Sequence, residues 1–195
     1  AQRIAAGDWV GQEAFYQAPA YPYLLAVFYW GLGHNLDLIH AAMTIIGSLA
    51  CPILYFATRI LFGWKAGLVA GILLAIYPPA IFFDGLIGKQ ALGLLLTTLL
   101  LFSLLHFQRR PRGRAVLGAG VLLGFLALTR EHALIFAPMI PLWILWRFSG
   151  AQGRSGKAWV WVATFVLGVL LILGLVLTRN WVVGNTFALT TAQLG

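Results

Sequence analysis

An all-α, polytopic transmembrane helix bundle is the fold class that this sequence predicts, and three observations predict it. Of the 195 residues 61% are hydrophobic and 9% are charged, against about 25% charged in an ordinary soluble domain, so there are too few charges to build a water-facing surface. The apolar residues arrive in runs close to the roughly 20 that cross a hydrocarbon core as helix. Runs such as residues 92–105 are apolar on every face, whereas a barrel strand would alternate over about ten residues.

Hydropathy and breakers together give the elements of a single domain over residues 1–195. Residues 1–37 read as an external loop with a short interfacial helix near 22–30. About six spans are expected between residues 38 and 178: 38–58, 64–77, 88–107, 115–129, 133–146 and 158–178. The second ends at Pro78-Pro79, because proline has no N–H to donate and clashes with the preceding turn. Residues 179–195 read as a second external segment. No initiator Met or cleavable signal stands at the start, so the chain is expected to be a fragment lacking an upstream part.

The loops alternate in charge. Arg59 and Lys65, then Arg109, Arg110, Arg112 and Arg114, then Arg147, Arg154 and Lys157 occupy every second loop, which the positive-inside rule assigns to the cytoplasm. All five carboxylates, Asp8, Glu13, Asp37, Asp84 and Glu131, fall in the other set. Both ends are therefore expected outside. Trp64, Trp143, Trp146, Trp159 and Trp161 stand at the expected cytoplasmic ends, where amphipathic rings prefer the interface. The net charge of +8 follows from these loops, so no nucleic-acid partner is expected. Gly67 with Gly71 and Gly120 with Gly124 are small-xxx-small pairs suited to close helix packing.

The lone Cys51 lies in an apolar helix and reads as a packing residue, and His34, His40, His106 and His132 lack ligand spacing, so no metal site is expected.

Two short helices carry the functional signal. At about 1.5 Å per residue, a helix over 115–129 rises roughly 22 Å, against about 30 Å of hydrocarbon, which leaves Arg130 and Glu131 below the outer headgroups. The proline-ended helix leaves Asp84 and Lys89 recessed on the same side. Charges at that depth need a protein interior or a wet cavity; the alternative is that they snorkel to lipid phosphates or pair with each other. In a cavity, Lys89, Arg130 and Arg179 would supply positive charge for a lipid-linked phosphate. Asp84, Asp8 and Glu13 are the outside carboxylates able to accept a hydroxyl proton.

Six stretches resemble a known pattern: Ala1-Gln2-Arg3-Ile4-Ala5-Ala6-Gly7-Asp8-Trp9, Gln17-Ala18-Pro19-Ala20-Tyr21-Pro22, Arg59-Ile60-Leu61-Phe62-Gly63, Tyr77-Pro78-Pro79, Leu128-Thr129-Arg130 and Thr178-Arg179-Asn180-Trp181. In this order they resemble the bacterial dolichyl-phosphate-mannose protein mannosyltransferase and aminoarabinose-transferase superfamily, with its type C glycosyltransferase fold. The resemblance implies a multi-pass protein of the bacterial cytoplasmic membrane that uses a polyprenyl-phosphate-linked sugar as donor and a hydroxyl-bearing acceptor. It implies an inverting displacement, with Arg130 and Lys89 balancing the departing phosphate, and with the family's catalytic aspartate upstream of Ala1. Where the aminoarabinose branch carries an acidic residue and a lysine before its proline, this chain has Gln17 and Ala18, and Lys89 stands where many members carry Glu. Donor contacts from those side chains do not carry over. Two other readings remain: a noncatalytic membrane subunit serving as scaffold beside other subunits, and a secondary transporter. The second is disfavoured by the lack of an inverted repeat and of any charge expected near the bilayer midplane.

Overall fold

The computed structural model describes residues 19–33, 35–86, 88–149 and 155–184. Asp8, Glu13, His34 and the stretch from Ala1 to Trp9 lie outside them.

Helix α1 (Ala20–Leu32) is tied at its start to a later element, because the Ala20 N–H donates to the Leu128 carbonyl. Helices α2 (Leu36–Ser48) and α3 (Ala50–Phe62) form one continuous apolar stretch interrupted at Leu49. Pro52 explains the interruption, since it cannot donate to the Ser48 carbonyl. Asn35 caps this span, its side chain accepting from the Asp37 and Leu38 N–H groups at 3.0 and 3.4 Å.

Gly63, at φ +88°, turns the chain from α3 into α4 (Trp64–Ala75), a conformation that a side chain disfavours. Pro78-Pro79 does end α4, and it also starts α5 (Pro78–Asp84), because proline is tolerated in a first helical turn. The two helices meet at 54°, a broken span or a re-entrant loop. The expected span 64–77 thus continues, bent, to Asp84.

Helix α6 (Lys89–Arg109) runs through the middle of the bundle, touching α2, α3 and α5 on one side and α7 (Gly113–Ala127) on another. A 3-10 turn (Glu131–Ile135) leads into α8 (Phe136–Ser149), and α9 (Ser155–Gly184) closes the described chain. Among the described residues, three helices are long and apolar enough to cross a membrane, Leu36–Phe62, Lys89–Arg109 and Gly156–Val182, and the bent pair is either a fourth, broken span or a re-entrant loop. The helices at 113–127 and 136–149, which the sequence counts as spans, fall short of full crossing length. Helix α9 runs on to Gly184, so residues 179–184, expected in an external segment, are helical.

The core lies between α6, α7, α8 and α9, with Phe107, Leu123, Ile144 and Phe165 fully buried. Backbones meet closely there. A Cβ on Gly120 would collide with the Phe165 carbonyl and one on Gly124 would come within 2.7 Å of Ile172, so the small-xxx-small pair is the α7–α9 contact. Gly67 plays the same part in α4, where a Cβ would lie 2.8 Å from the Tyr55 carbonyl.

The basic loop residues gather at one end. Arg109 donates to the Ile60 carbonyl, joining the ends of α6 and α3. Phe107, Phe148 and Trp161 stack with ring centroids 4.8–5.3 Å apart, and the Arg147 guanidinium lies 5.7 Å over Phe148.

Candidate functional site

Two charged residues are each seated on a glycine. The Asp84 carboxyl, at the end of α5, rests against Gly47 of α2, where any Cβ would overlap it. Gly47 is close to the midpoint of the Leu36–Phe62 helix. The carboxyl therefore meets that helix near its middle rather than at its end. The bend at Pro78-Pro79 is the reason, since it turns α5 back toward the bundle.

Arg130 follows α7 in a turn with every neighbouring donor engaged. The Leu128 N–H donates to the Gly124 carbonyl at 3.0 Å, while those of Thr129 and Arg130 share the Leu126 carbonyl at 3.0 and 2.7 Å. Thr129, fully buried, donates its hydroxyl to the Phe125 carbonyl at 2.9 Å. The Gly124, Phe125 and Leu126 carbonyls at the α7 carboxyl end thereby have partners within the protein. Arg130 then leaves in extended conformation, and its side chain crosses Gly93 of α6, whose ideal Cβ would sit 3.0 Å from Nε.

Asp84 and Arg130 border one cavity of about 180 Å³, with Tyr77, Phe83, Gln90 and Leu94. The sequence arithmetic expected Asp84, Lys89, Arg130 and Glu131 around one pocket, and two of these four border this cavity. The cavity sits beside the first turn of α6, whose unpaired N–H groups add partial positive charge. Lys89 and Glu131 are not among its lining residues. Lys89 is exposed and Gln90, one position on, faces the cavity instead, its Oε1 buried without a hydrogen-bond partner. Neighbouring helical residues diverge by about 100°, which sequence proximity does not resolve.

Arg179 lies elsewhere. It borders an apolar groove of about 660 Å³ with Tyr23, Leu96, Phe125 and Ile172, and it donates to Asn180 Oδ1 at 3.1 Å. Leu92 and Leu96 face this groove, whereas Gln90 and Leu94 face the Asp84–Arg130 cavity. Residues two apart on a helix lie on nearly opposite faces, so α6 separates Arg179 from the other two.

A third recess, about 390 Å³, adjoins the Asp84–Arg130 cavity, sharing Leu74, Ala80, Asp84 and Leu94 with it, and is also lined by Thr44, Gly47, Ser48 and Cys51 of the first span. Sequence reasoning missed it, reading Cys51 only as packing. The signal was present as Thr44, Gly47, Ser48 and Cys51, a small and polar stripe at i, i+3, i+4 and i+7 in the middle of a largely apolar helix.

Comparison with known families supplies the assignment that geometry alone does not. A family model described as dolichyl-phosphate-mannose-protein mannosyltransferase matches residues 16–178. The chain belongs to that family. No curated protein and no solved structure gives a match. Membership makes the chain a membrane protein of the mannosyltransferase type of glycosyltransferase and agrees with the superfamily read from its motifs. In this mannosyltransferase-family chain the matched region holds Asp84, Gln90 and Arg130, and it ends one residue before Arg179.

Proposed function

We propose that the full-length protein transfers a sugar from a polyprenyl-phosphate carrier to a hydroxyl-bearing acceptor at the outer face of the bacterial cytoplasmic membrane. The observation that carries this reading is the meeting of Asp84 and Arg130 in one cavity, beside the middle of a membrane span, where ionisable groups are costly unless used. The acceptor oxygen attacks the anomeric carbon as the bond from that carbon to the phosphate oxygen breaks. The bonding pair leaves with the phosphate, and the acceptor's proton passes to a carboxylate: the aspartate that the resemblance implies upstream of Ala1 or, among the described residues, Asp84.

Negative charge grows on the departing phosphate, and Arg130, with the Gln90 amide and the α6 amino end, is placed to stabilise it. Lys89, exposed at the head of α6, adds positive charge from outside the cavity. The groove bordered by Arg179 offers apolar walls to the carrier's hydrocarbon chain.

The test is transfer from radiolabelled polyprenyl-phosphate-linked mannose in membranes containing the full-length protein. Arg130→Ala should lower transfer by about 10²–10³-fold with the inserted amount unchanged. Arg130→Lys should recover only part, because a point charge replaces the attraction but not the planar fork. Normal transfer by Arg130→Ala would make the residue a lipid anchor. A wild-type protein that inserts but transfers nothing would favour the scaffold reading.

A further inference from the structure

Two basic loops that are far apart in the sequence meet at one end of the bundle. Arg109, in the last turn of α6, donates to the Ile60 carbonyl near the end of α3, and so holds the α3–α4 turn beside the α6–α7 turn. The first turn carries Arg59 and Lys65, the second Arg110, Arg112 and Arg114, and all five are exposed. Arg109 itself is engaged by the carbonyl, a contact that suits a cation at a helix carboxyl end.

Among the described residues no carboxylate stands at this end. Asp37 begins the span whose far end carries Arg59, and Glu131 follows α7, whose near end follows Arg112. Asp84 rests against Gly47, twelve residues before Arg59, which is roughly 18 Å at about 1.5 Å per residue and beyond the roughly 8 Å over which exposed charges act in physiological salt. Five cations gathered on two joined turns therefore repel one another, and an anion from outside the chain relieves them.

The flanks of the patch say which kind of anion fits. Phe62 and Trp64, on the α3–α4 turn, are 74% and 60% exposed, and the Lys65 ammonium lies 5.8 Å from the Trp64 ring centroid. Such rings settle at the level of lipid headgroups, which puts the cations level with lipid phosphates. Leu68 and Ile72 continue the exposed face along α4, offering apolar contact to acyl chains. A soluble polyanion matches the charges but has nothing to set against these apolar residues.

We propose that the joined α3–α4 and α6–α7 turns form a docking surface for anionic phospholipids of the adjoining leaflet, their phosphates held across both turns. This goes beyond the transfer reading and does not depend on it.

The test uses the full-length protein in detergent. Native mass spectrometry reads its apparent Kd for phosphatidylglycerol, with phosphatidylcholine as the lipid of zero net charge and inorganic phosphate as a soluble competitor. The wild type should bind phosphatidylglycerol at least about 10²-fold more tightly than phosphatidylcholine. Replacing Arg110, Arg112 and Arg114 together by Gln should weaken phosphatidylglycerol binding by about 10²-fold and leave phosphatidylcholine unchanged. The same three positions changed to Lys should stay within about threefold of the wild type, because the attraction is one of charge. Inorganic phosphate should not displace the lipid.

A wild type that binds both lipids equally would overturn the proposal, as would a preference that survives the triple Gln substitution or is lost equally in the Lys variant. Displacement by inorganic phosphate would overturn it in favour of a free-phosphate site. If the triple Gln variant does not fold, Arg112→Gln alone should still weaken binding about fivefold at an unchanged unfolding midpoint, and an unaltered Kd there counts against the docking surface.

Discussion

Two glycines decide where the two central charges lie. Gly47 leaves room for the Asp84 carboxyl and Gly93 for the Arg130 stem, so the space that receives each charge is made by a missing side chain on a different helix. Gly47→Ala should then act like damage to Asp84 itself. The new methyl must displace the carboxylate, and sugar transfer should fall by about 10²-fold or more, the usual worth of a positioned base. Membrane insertion should be unchanged. Transfer at the wild-type rate by Gly47→Ala would show that the position of the Asp84 carboxyl against α2 does not matter to the reaction. Lys89 gives the opposite lesson at this scale, since its charge drew notice in the sequence while the neutral Gln90 took the cavity position.

Among elements, the contact between α7 and α9 is the one most dependent on small residues, because Gly120 faces the Phe165 carbonyl and Gly168 faces the Leu117 carbonyl. Gly120→Leu should destabilise the bundle by about 1–3 kcal/mol through overpacking, read as a lower unfolding midpoint in detergent. Gly118→Leu is the control, since the nearest atom to its Cβ would be Ser103 Oγ at 3.9 Å, and its midpoint should stay near that of the wild type. Equal effects of the two substitutions would remove the α7–α9 contact as the explanation. The bent pair α4–α5 shows how an element can be legible while its purpose is not. Pro78-Pro79 marks the break in the sequence, but the 54° turn that aims Asp84 at the first span is a property of packing.

In the whole molecule, α6 acts as a wall between the Asp84–Arg130 cavity and the groove at Arg179, and one end of the bundle collects Arg59, Arg109 and Arg147. The positive-inside rule predicts that end to be cytoplasmic. In a Cys51→Ala background, a cysteine at Gly113, where a side chain meets open space, should be protected from an impermeant thiol reagent in intact cells. One at Leu36, exposed at the head of the first span, should be labelled. The reverse pattern would invert the molecule and put the Asp84–Arg130 cavity on the wrong side for an external acceptor.

The sequence by itself determined that this chain is a helical membrane bundle, and it singled out Asp84 and Arg130 as charges that follow helices too short to cross. These follow from hydrocarbon thickness, helix rise and the cost of an unsolvated charge, which act on local stretches of chain. Only the tertiary structure decided that Asp84 sits beside the middle of the first span, that Gln90 rather than Lys89 faces Arg130, and that Arg179 belongs to a separate groove. Those outcomes depend on the azimuth of each residue around its helix and on where Gly47 and Gly93 leave space. That information becomes fixed only when distant helices pack against one another.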